Sequence, residues 1–156
     1  MRAHDSQHPD AGLDPDVDLA VAAQRTELAV RPLLLLGAIA LGGVVGSEAR
    51  YALTLAVPDA DSGVPWTTFA VNVLGCLAIG ALMVGVRRWG PRRPLLRPFA
   101  GVGVLGGFTT FSAYAVGVER LLTSGGAAAG TVYLVLTPVC AVTAALAGQR
   151  LAERLL

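Results

Sequence analysis

Charged residues are scarce in this sequence, and lysine is missing altogether. Only 15% of the 156 residues are charged, whereas 54% are hydrophobic. So little charge argues against an ordinary soluble domain and favours a protein embedded in membrane lipid. Cysteine is also rare, and Cys76 and Cys140 stand alone in apolar stretches without the close spacing of metal ligands or redox pairs. The sequence therefore argues against metal-cluster and thiol–disulfide chemistry.

Four apolar stretches are long enough to cross a membrane. They cover residues 32–55, 65–86, 98–122 and 127–148, and the second and fourth contain no charged residue. A bilayer core of about 30 Å requires roughly 20 apolar residues in a helix, which each stretch supplies. The sequence thus predicts an all-α membrane protein whose four transmembrane helices are joined by short loops into a compact bundle.

The first 31 residues differ from the rest of the chain. They contain six acidic residues, two prolines and no long apolar run. Such a segment cannot bury enough apolar surface to offset the entropy that is lost on ordering. We expect residues 1–31 to form a mobile acidic tail and residues 32–156 to form the membrane domain.

The placement of arginine predicts how the chain is oriented. All twelve basic residues are arginines, and with four spans both termini and the loop at 87–97 lie on the same side of the membrane. That side carries ten arginines, and the other side carries only Arg50 and Arg120. Because arginines near span ends favour the cytoplasm, both termini are predicted to be cytoplasmic. The arginine-rich loop is interpreted as this topology signal rather than as a nucleic-acid site.

The first span carries small and charged residues on one face. Gly42, Gly46 and Arg50 follow one another at steps of four, which places them on the same side of a helix. The glycines would let a second helix approach closely. Arg50 either extends to the membrane interface or faces an aqueous vestibule and attracts anions. Glu48 lies elsewhere on the helix, near the end of the span.

The second and fourth spans contain isolated polar side chains. An amide in hydrocarbon must be hydrogen-bonded, so Asn72 in the second span is expected to face protein or water. It either joins two helices or donates to a permeating anion. In the fourth span, Tyr133 and Thr137 share a face, and Pro138 loosens the backbone beside them. Simple packing is the alternative to a functional role for these two residues.

The third span contains an interruption, in the stretch GGFTTFS. Glycine costs about 1 kcal/mol per helix position relative to alanine, so the pair Gly106 and Gly107 predicts an unwound turn in mid-membrane. Such a turn frees backbone carbonyls, which are hard oxygen ligands suited to sodium or a similar cation. Beyond the turn, Phe111 and Tyr114 share a face and either pack conventionally or present the positive edges of their rings to an anion.

Three stretches resemble the Fluc (CrcB) family of small bacterial fluoride channels, namely GGVVGSEARY, PWTTFAVNVLGCLAIG and GVLGGFTTFSAY. The resemblance covers about residues 33–151. It implies a passive channel in the bacterial plasma membrane that exports cytoplasmic fluoride and so reduces its toxicity, without any enzymatic reaction. It also implies a subunit whose third helix is broken near its middle and which forms an antiparallel dimer with two pores.

The resemblance also implies roles for particular residues. The backbone carbonyls of Gly106 and Thr109 from both subunits would bind a structural sodium ion that is not transported. Arg50 would make the vestibule electropositive. Tyrosine at position 114 and threonine at position 137 depart from the phenylalanine and serine that are more usual in the family. The fluoride pore would be lined by Asn72, Phe111, Tyr114, Tyr133 and Thr137.

Two other functions are compatible with these residues. A small proton-coupled antiporter would need a membrane-embedded carboxylate, for which Glu48 is the one candidate. A non-transporting membrane scaffold would use the glycines and hydroxyls only for packing. Within the channel interpretation, arginines distributed ten to two indicate a fixed orientation. The antiparallel partner would then be an oppositely oriented homologous subunit rather than a second copy of this chain.

Overall fold

The computed structural model describes residues 30–59 and 63–156. The predicted acidic tail therefore lies outside the described residues, except for Val30 and Arg31. Between its short connections the described part is helical, and a 3₁₀ turn precedes the third span. The helices are α1 (Pro32–Ala56), α2 (Trp66–Trp89), α3 (Arg97–Leu105), α4 (Gly106–Phe108), α5 (Phe111–Thr123) and α6 (Ala127–Leu155), of which α3 is wound as a π-helix.

Four helical segments are long and apolar enough to cross a membrane, which confirms the predicted all-α architecture. They are Pro32–Ala56, Trp66–Arg92, Arg97–Thr123 and Ala127–Leu155. The second and fourth extend past their predicted ends because the helix continues into arginine-bearing turns beyond the apolar core. In the most apolar 18-residue stretch of each span, only 11% to 33% of the residues are buried inside the subunit. Most of the apolar surface therefore faces outward, where lipid or another subunit can cover it.

The loop before α2 supplies the cap for that helix. The Asp59 carboxylate accepts a hydrogen bond from the Thr67 N–H at 2.8 Å, and the Thr67 hydroxyl donates to the Val57 carbonyl at 2.6 Å. A carboxylate at this position also complements the partial positive charge of a helix N-terminus. The loop is thereby fixed to the first turn of α2, although Pro65 itself provides no side-chain cap.

Glycines allow α1 to lie directly against the third span. A Cβ added at Gly103 would come within 2.8 Å of the Ile39 carbonyl oxygen, which is closer than real Cβ contacts. On the α1 side, a Cβ at Gly42 or Gly46 would likewise collide with carbonyl groups of α3. The predicted close approach of a second helix is confirmed, and that helix is the first part of the third span.

A second close pair is formed by α2 and α6. A Cβ at Gly80 would collide with the Ala145 carbonyl, and a Cβ at Gly148 would collide with the Leu77 carbonyl. The same helix α6 also packs against α5. The subunit is therefore built from two tight helix pairs, with α5 completing the side that faces α6.

The glycine pair of the third span does not itself unwind the helix, so the prediction of an unwound turn at Gly106 and Gly107 is wrong as to its position. Both glycines lie in α4, and the extended backbone begins at Thr109 (φ −78°, ψ 160°) and Thr110 (φ −149°, ψ 119°). A Cβ at Gly107 would come within 2.6 Å of the Gly43 carbonyl oxygen. This glycine is required for packing against α1, and the interruption follows it.

We predict that Gly148→Ala lowers the thermal unfolding midpoint of the purified protein in detergent, because the added methyl group must displace the α2 backbone. Forcing extra carbon into a packed contact costs about 1–3 kcal/mol. Gly37→Ala is the matched control, since a Cβ at Gly37 would have nothing within 4 Å. Equal midpoints for the two variants would contradict the close pairing of α2 with α6.

Candidate functional site

Two threonines form the interruption between α4 and α5. Thr110 is the N-cap residue of α5, and its side-chain oxygen accepts a hydrogen bond from the Ala113 N–H at 3.2 Å. The Thr109 hydroxyl donates to the Leu105 carbonyl at 2.8 Å, on the other side of the interruption. Each threonine thus supplies a side-chain hydrogen bond to one of the two helix ends that the interruption creates.

The side-chain amide of Asn72 pairs with the backbone of Thr110. Its Nδ2 donates to the Thr110 carbonyl at 2.9 Å, and its Oδ1 accepts from the Thr110 N–H at 2.8 Å. These two bonds satisfy backbone groups that a lipid environment could not satisfy. The prediction that Asn72 is hydrogen-bonded is confirmed, and the bonds join α2 to the third span. One of the two Nδ2 hydrogens remains for another acceptor.

The interruption removes the helical hydrogen-bond donors of two carbonyl groups. In a continuous helix the Thr110 N–H would bond to the Gly106 carbonyl, and the Ala113 N–H would bond to the Thr109 carbonyl. Both donors bond to side chains instead. Gly106 is exposed and Thr109 is half-buried. The two carbonyl oxygens can therefore accept a ligand from outside the subunit.

Arg50 reaches from α1 to the interrupted span. Its Nε donates to the Gly107 carbonyl oxygen at 3.2 Å. Arg50 lines two cavities, of about 460 and 520 Å³, and it forms no salt bridge within the described ranges. Its positive charge can therefore attract anions into these cavities, which the carboxylates of Glu48 and Asp59 also line. The other polar residues lining one or both of them are Ser47, Tyr51, Thr54, Thr68, Thr110, Ser112 and Arg120.

Three aromatic rings form a row from the surface into the subunit. The ring centroids of Phe111 and Tyr114 are 5.6 Å apart, and those of Tyr114 and Tyr133 are also 5.6 Å apart. Phe111 is 80% exposed, whereas both tyrosines are buried. The tyrosine hydroxyls bond to backbone carbonyls, Tyr114 to Leu134 at 2.7 Å and Tyr133 to Pro65 at 3.3 Å. Both hydroxyls are thus bonded within the protein.

A cavity of about 280 Å³ lies beside the interruption, and Thr137 forms part of its wall. Thr137 is only 4% exposed, and its Oγ1 makes no hydrogen bond of good geometry within the described residues, although the Tyr133 hydroxyl lies near enough to interact with it. A buried hydroxyl without a well-formed hydrogen bond costs about 1–3 kcal/mol, so a polar ligand in this cavity that reached it would be stabilised. The same cavity is lined by Asn72, Thr109, Thr110, Phe111, Tyr114 and Ala141.

The structure brings most of the predicted pore residues together. Tyr133 is set behind the cavity and contacts its wall through the Tyr114 ring, whereas Arg50 lies in the two polar cavities described above. Sequence reasoning missed the role of Thr110, although a threonine directly before an apolar helix is an N-cap signal. The predicted pore residues that line the 280 Å³ cavity are Asn72, Phe111, Tyr114 and Thr137.

Known proteins match this chain over most of its length. The family model described as CrcB-like protein, Camphor Resistance (CrcB), matches residues 37–149. A Streptomyces coelicolor protein named fluoride-specific ion channel FluC 1 is 48% identical over 118 residues, which cover 76% of this chain and 77% of that protein.

Two further relatives carry the name fluoride-specific ion channel FluC 2. The Streptomyces avermitilis protein is 42% identical over 130 residues, covering 83% of this chain and 82% of the relative. The Nocardia farcinica protein is 51% identical over 117 residues, covering 75% and 80% respectively. Because the family match reaches into all four membrane spans, this chain belongs to the CrcB-like family.

Proposed function

We propose that this chain is a subunit of a passive, fluoride-selective channel that exports cytoplasmic fluoride. Its relatives are named fluoride-specific ion channels. The observation that carries the proposal is the cavity beside the interruption, whose wall combines the Thr137 residue, the Asn72 amide and the Phe111 ring. A hydroxyl, an amide and a ring edge together present hydrogen-bond donors and positive partial charge to an anion.

Conduction of fluoride requires that water be replaced by other donors along the path. The Thr137 O–H and the second Nδ2 hydrogen of Asn72 supply two donors. The edge of the Phe111 ring adds positive partial charge without binding the ion as strongly as a full charge would. Weak, successive sites of this kind allow an ion to enter and also to leave. No covalent bond is made or broken, so the proposal involves no enzymatic step.

The charges near the cavity favour a channel over a proton-coupled antiporter. No carboxylate lines the 280 Å³ cavity within the described part of the chain. Glu48 and Asp59 each line one of the cavities around Arg50 instead, and both residues are exposed. An antiporter would need such a carboxylate on the substrate path, where proton binding competes with substrate. A scaffold would not require Thr137 and the Asn72 amide to line one cavity.

The interruption of the third span offers oxygen ligands that suit a structural sodium ion. Carbonyl oxygens are hard ligands that suit sodium, and those of Gly106 and Thr109 have lost their helical donors. Two oxygens from one chain are too few to enclose a cation, so a second subunit would supply the same pair. When bound, the ion would offset the partial negative charge of these oxygens and hold the two subunits together.

An antiparallel partner would complete the site. Phe111 is 80% exposed although it lines the cavity, and an exposed ring at this position is available for contact with another subunit. The ten-to-two distribution of arginines favours a fixed orientation with both termini in the cytoplasm. We therefore propose an oppositely oriented homologous subunit as the partner rather than a second copy.

Replacing Thr137 with valine is the direct test of the pore. A hydrogen bond to a charged group contributes about 1.5–3 kcal/mol, so we expect Thr137→Val to lower the rate of fluoride efflux from liposomes that contain this chain and its partner subunit roughly tenfold or more. The measurement uses a fluoride electrode, with chloride efflux as the selectivity control. Thr143→Val is the matched variant, because Thr143 is exposed and its hydroxyl bonds within its own helix. Equal efflux from the two variants would favour the scaffold.

Removal of sodium tests the cation site. In liposomes that contain this chain and its partner subunit, we expect fluoride efflux to fall when sodium on both sides of the membrane is replaced by a large organic cation, because the carbonyls at Gly106 and Thr109 would then repel one another. Returning sodium should restore the efflux. Unchanged rates after exhaustive sodium removal would rule out an ion with a structural role.

Expression with and without a partner tests the assembly. Reconstituted alone, this chain is expected to pass little fluoride, whereas co-expression with an oppositely oriented homologous subunit should give efficient efflux and a complex that can be purified through a tag on either chain. Efficient fluoride efflux from this chain by itself would overturn the requirement for a second kind of subunit.

A further inference from the structure

A proline in the middle of α6 leaves one backbone carbonyl without its helical donor. Pro138 has no N–H, so the carbonyl of Leu134, four residues earlier, receives no hydrogen bond from α6 at that position. In a membrane span such a carbonyl needs a partner from another element, because lipid offers none.

Tyr114 provides that partner from α5. Its hydroxyl donates to the Leu134 carbonyl oxygen at 2.7 Å, and the residue is only 8% exposed. The ring of Tyr114 lies at the same time in the wall of the 280 Å³ cavity, where Pro138 is also found. The two residues therefore meet at one point, where a missing donor in α6 is replaced by a hydroxyl from α5.

We propose that Tyr114 and Pro138 form a coupled pair in which the proline frees a carbonyl and the tyrosine hydroxyl binds it, so that the Tyr114 ring is held in place as part of the cavity wall. Tyr114 is thus a positioning residue, and its functional consequence rests on the proposed fluoride path. Because the hydroxyl donates its hydrogen to Leu134, it does not donate to an anion in the cavity. The ring meets the ion as a phenylalanine would, but with its orientation fixed.

If the pair exists, the effect of Tyr114→Phe depends on which residue stands at position 138. In the natural background, Tyr114→Phe leaves the Leu134 carbonyl without a donor and frees the ring to move. In a Pro138→Ala background, residue 138 regains an N–H that bonds to Leu134 within α6. The tyrosine hydroxyl is then no longer needed, so its removal should have no further effect.

Four proteins test the pair: the natural chain, Tyr114→Phe, Pro138→Ala and the double variant. Thermal unfolding midpoints in detergent and fluoride efflux from liposomes, with any partner subunit that efflux requires, are measured for all four. We expect Tyr114→Phe to lower both the midpoint and the efflux, and the double variant to match Pro138→Ala in both. Thr143→Val, which also removes one hydroxyl from a membrane span, should leave both readouts unchanged.

Three results would overturn the inference. The first is that Tyr114→Phe lowers neither the midpoint nor the efflux in the natural background. The second is that Tyr114→Phe lowers them equally in the natural and the Pro138→Ala backgrounds, which would mean that the hydroxyl acts on something other than the freed carbonyl. The third is coupling in the midpoint without coupling in efflux, which would remove the positioning role. A natural chain that passes no fluoride would instead contradict the proposed function, and the midpoints would still decide whether the pair exists.

Discussion

The structure depends on the absence of water from the interior of a bilayer, because every backbone N–H and carbonyl there needs a partner from the protein or a bound ion. The bidentate pairing of Asn72 with Thr110 is the central response to this constraint. It permits extended backbone in the middle of a membrane span, and the extended backbone separates α4 from α5. The 280 Å³ cavity, the Gly106 and Thr109 carbonyls and the exposed Phe111 ring all lie at or next to this point.

The same constraint explains why polar side chains in this protein serve backbone groups first. Arg50 donates to Gly107, Thr109 to Leu105, and Tyr114 to Leu134. Thr137 differs, since its buried hydroxyl makes no hydrogen bond of good geometry to the described backbone and the residue forms part of the cavity wall. Because this hydroxyl is not committed to the backbone, an ion in the cavity could compete for it.

The four spans could be predicted from sequence because bilayer thickness fixes their length and hydrocarbon fixes their composition. The face of α1 that carries small residues could be predicted too, since glycines at steps of four lie on one side of any helix. Which helix meets that face could not, because the periodicity of one helix contains no information about its neighbour. The position of the interruption was missed for a related reason. Glycine propensity favours residues 106 and 107, but the side chain of Asn72, distant in sequence, decides that Thr110 leaves the helix.

The pairing of Asn72 with Thr110 also bears on how the subunit is assembled in the membrane. Asn72 precedes its partner by 38 residues, so α2 is synthesised before the backbone that its amide binds. Until the third span lies beside it, this span holds in lipid an amide without its partner, and such an amide costs free energy. The third span therefore adds to the stability of the second span in the membrane.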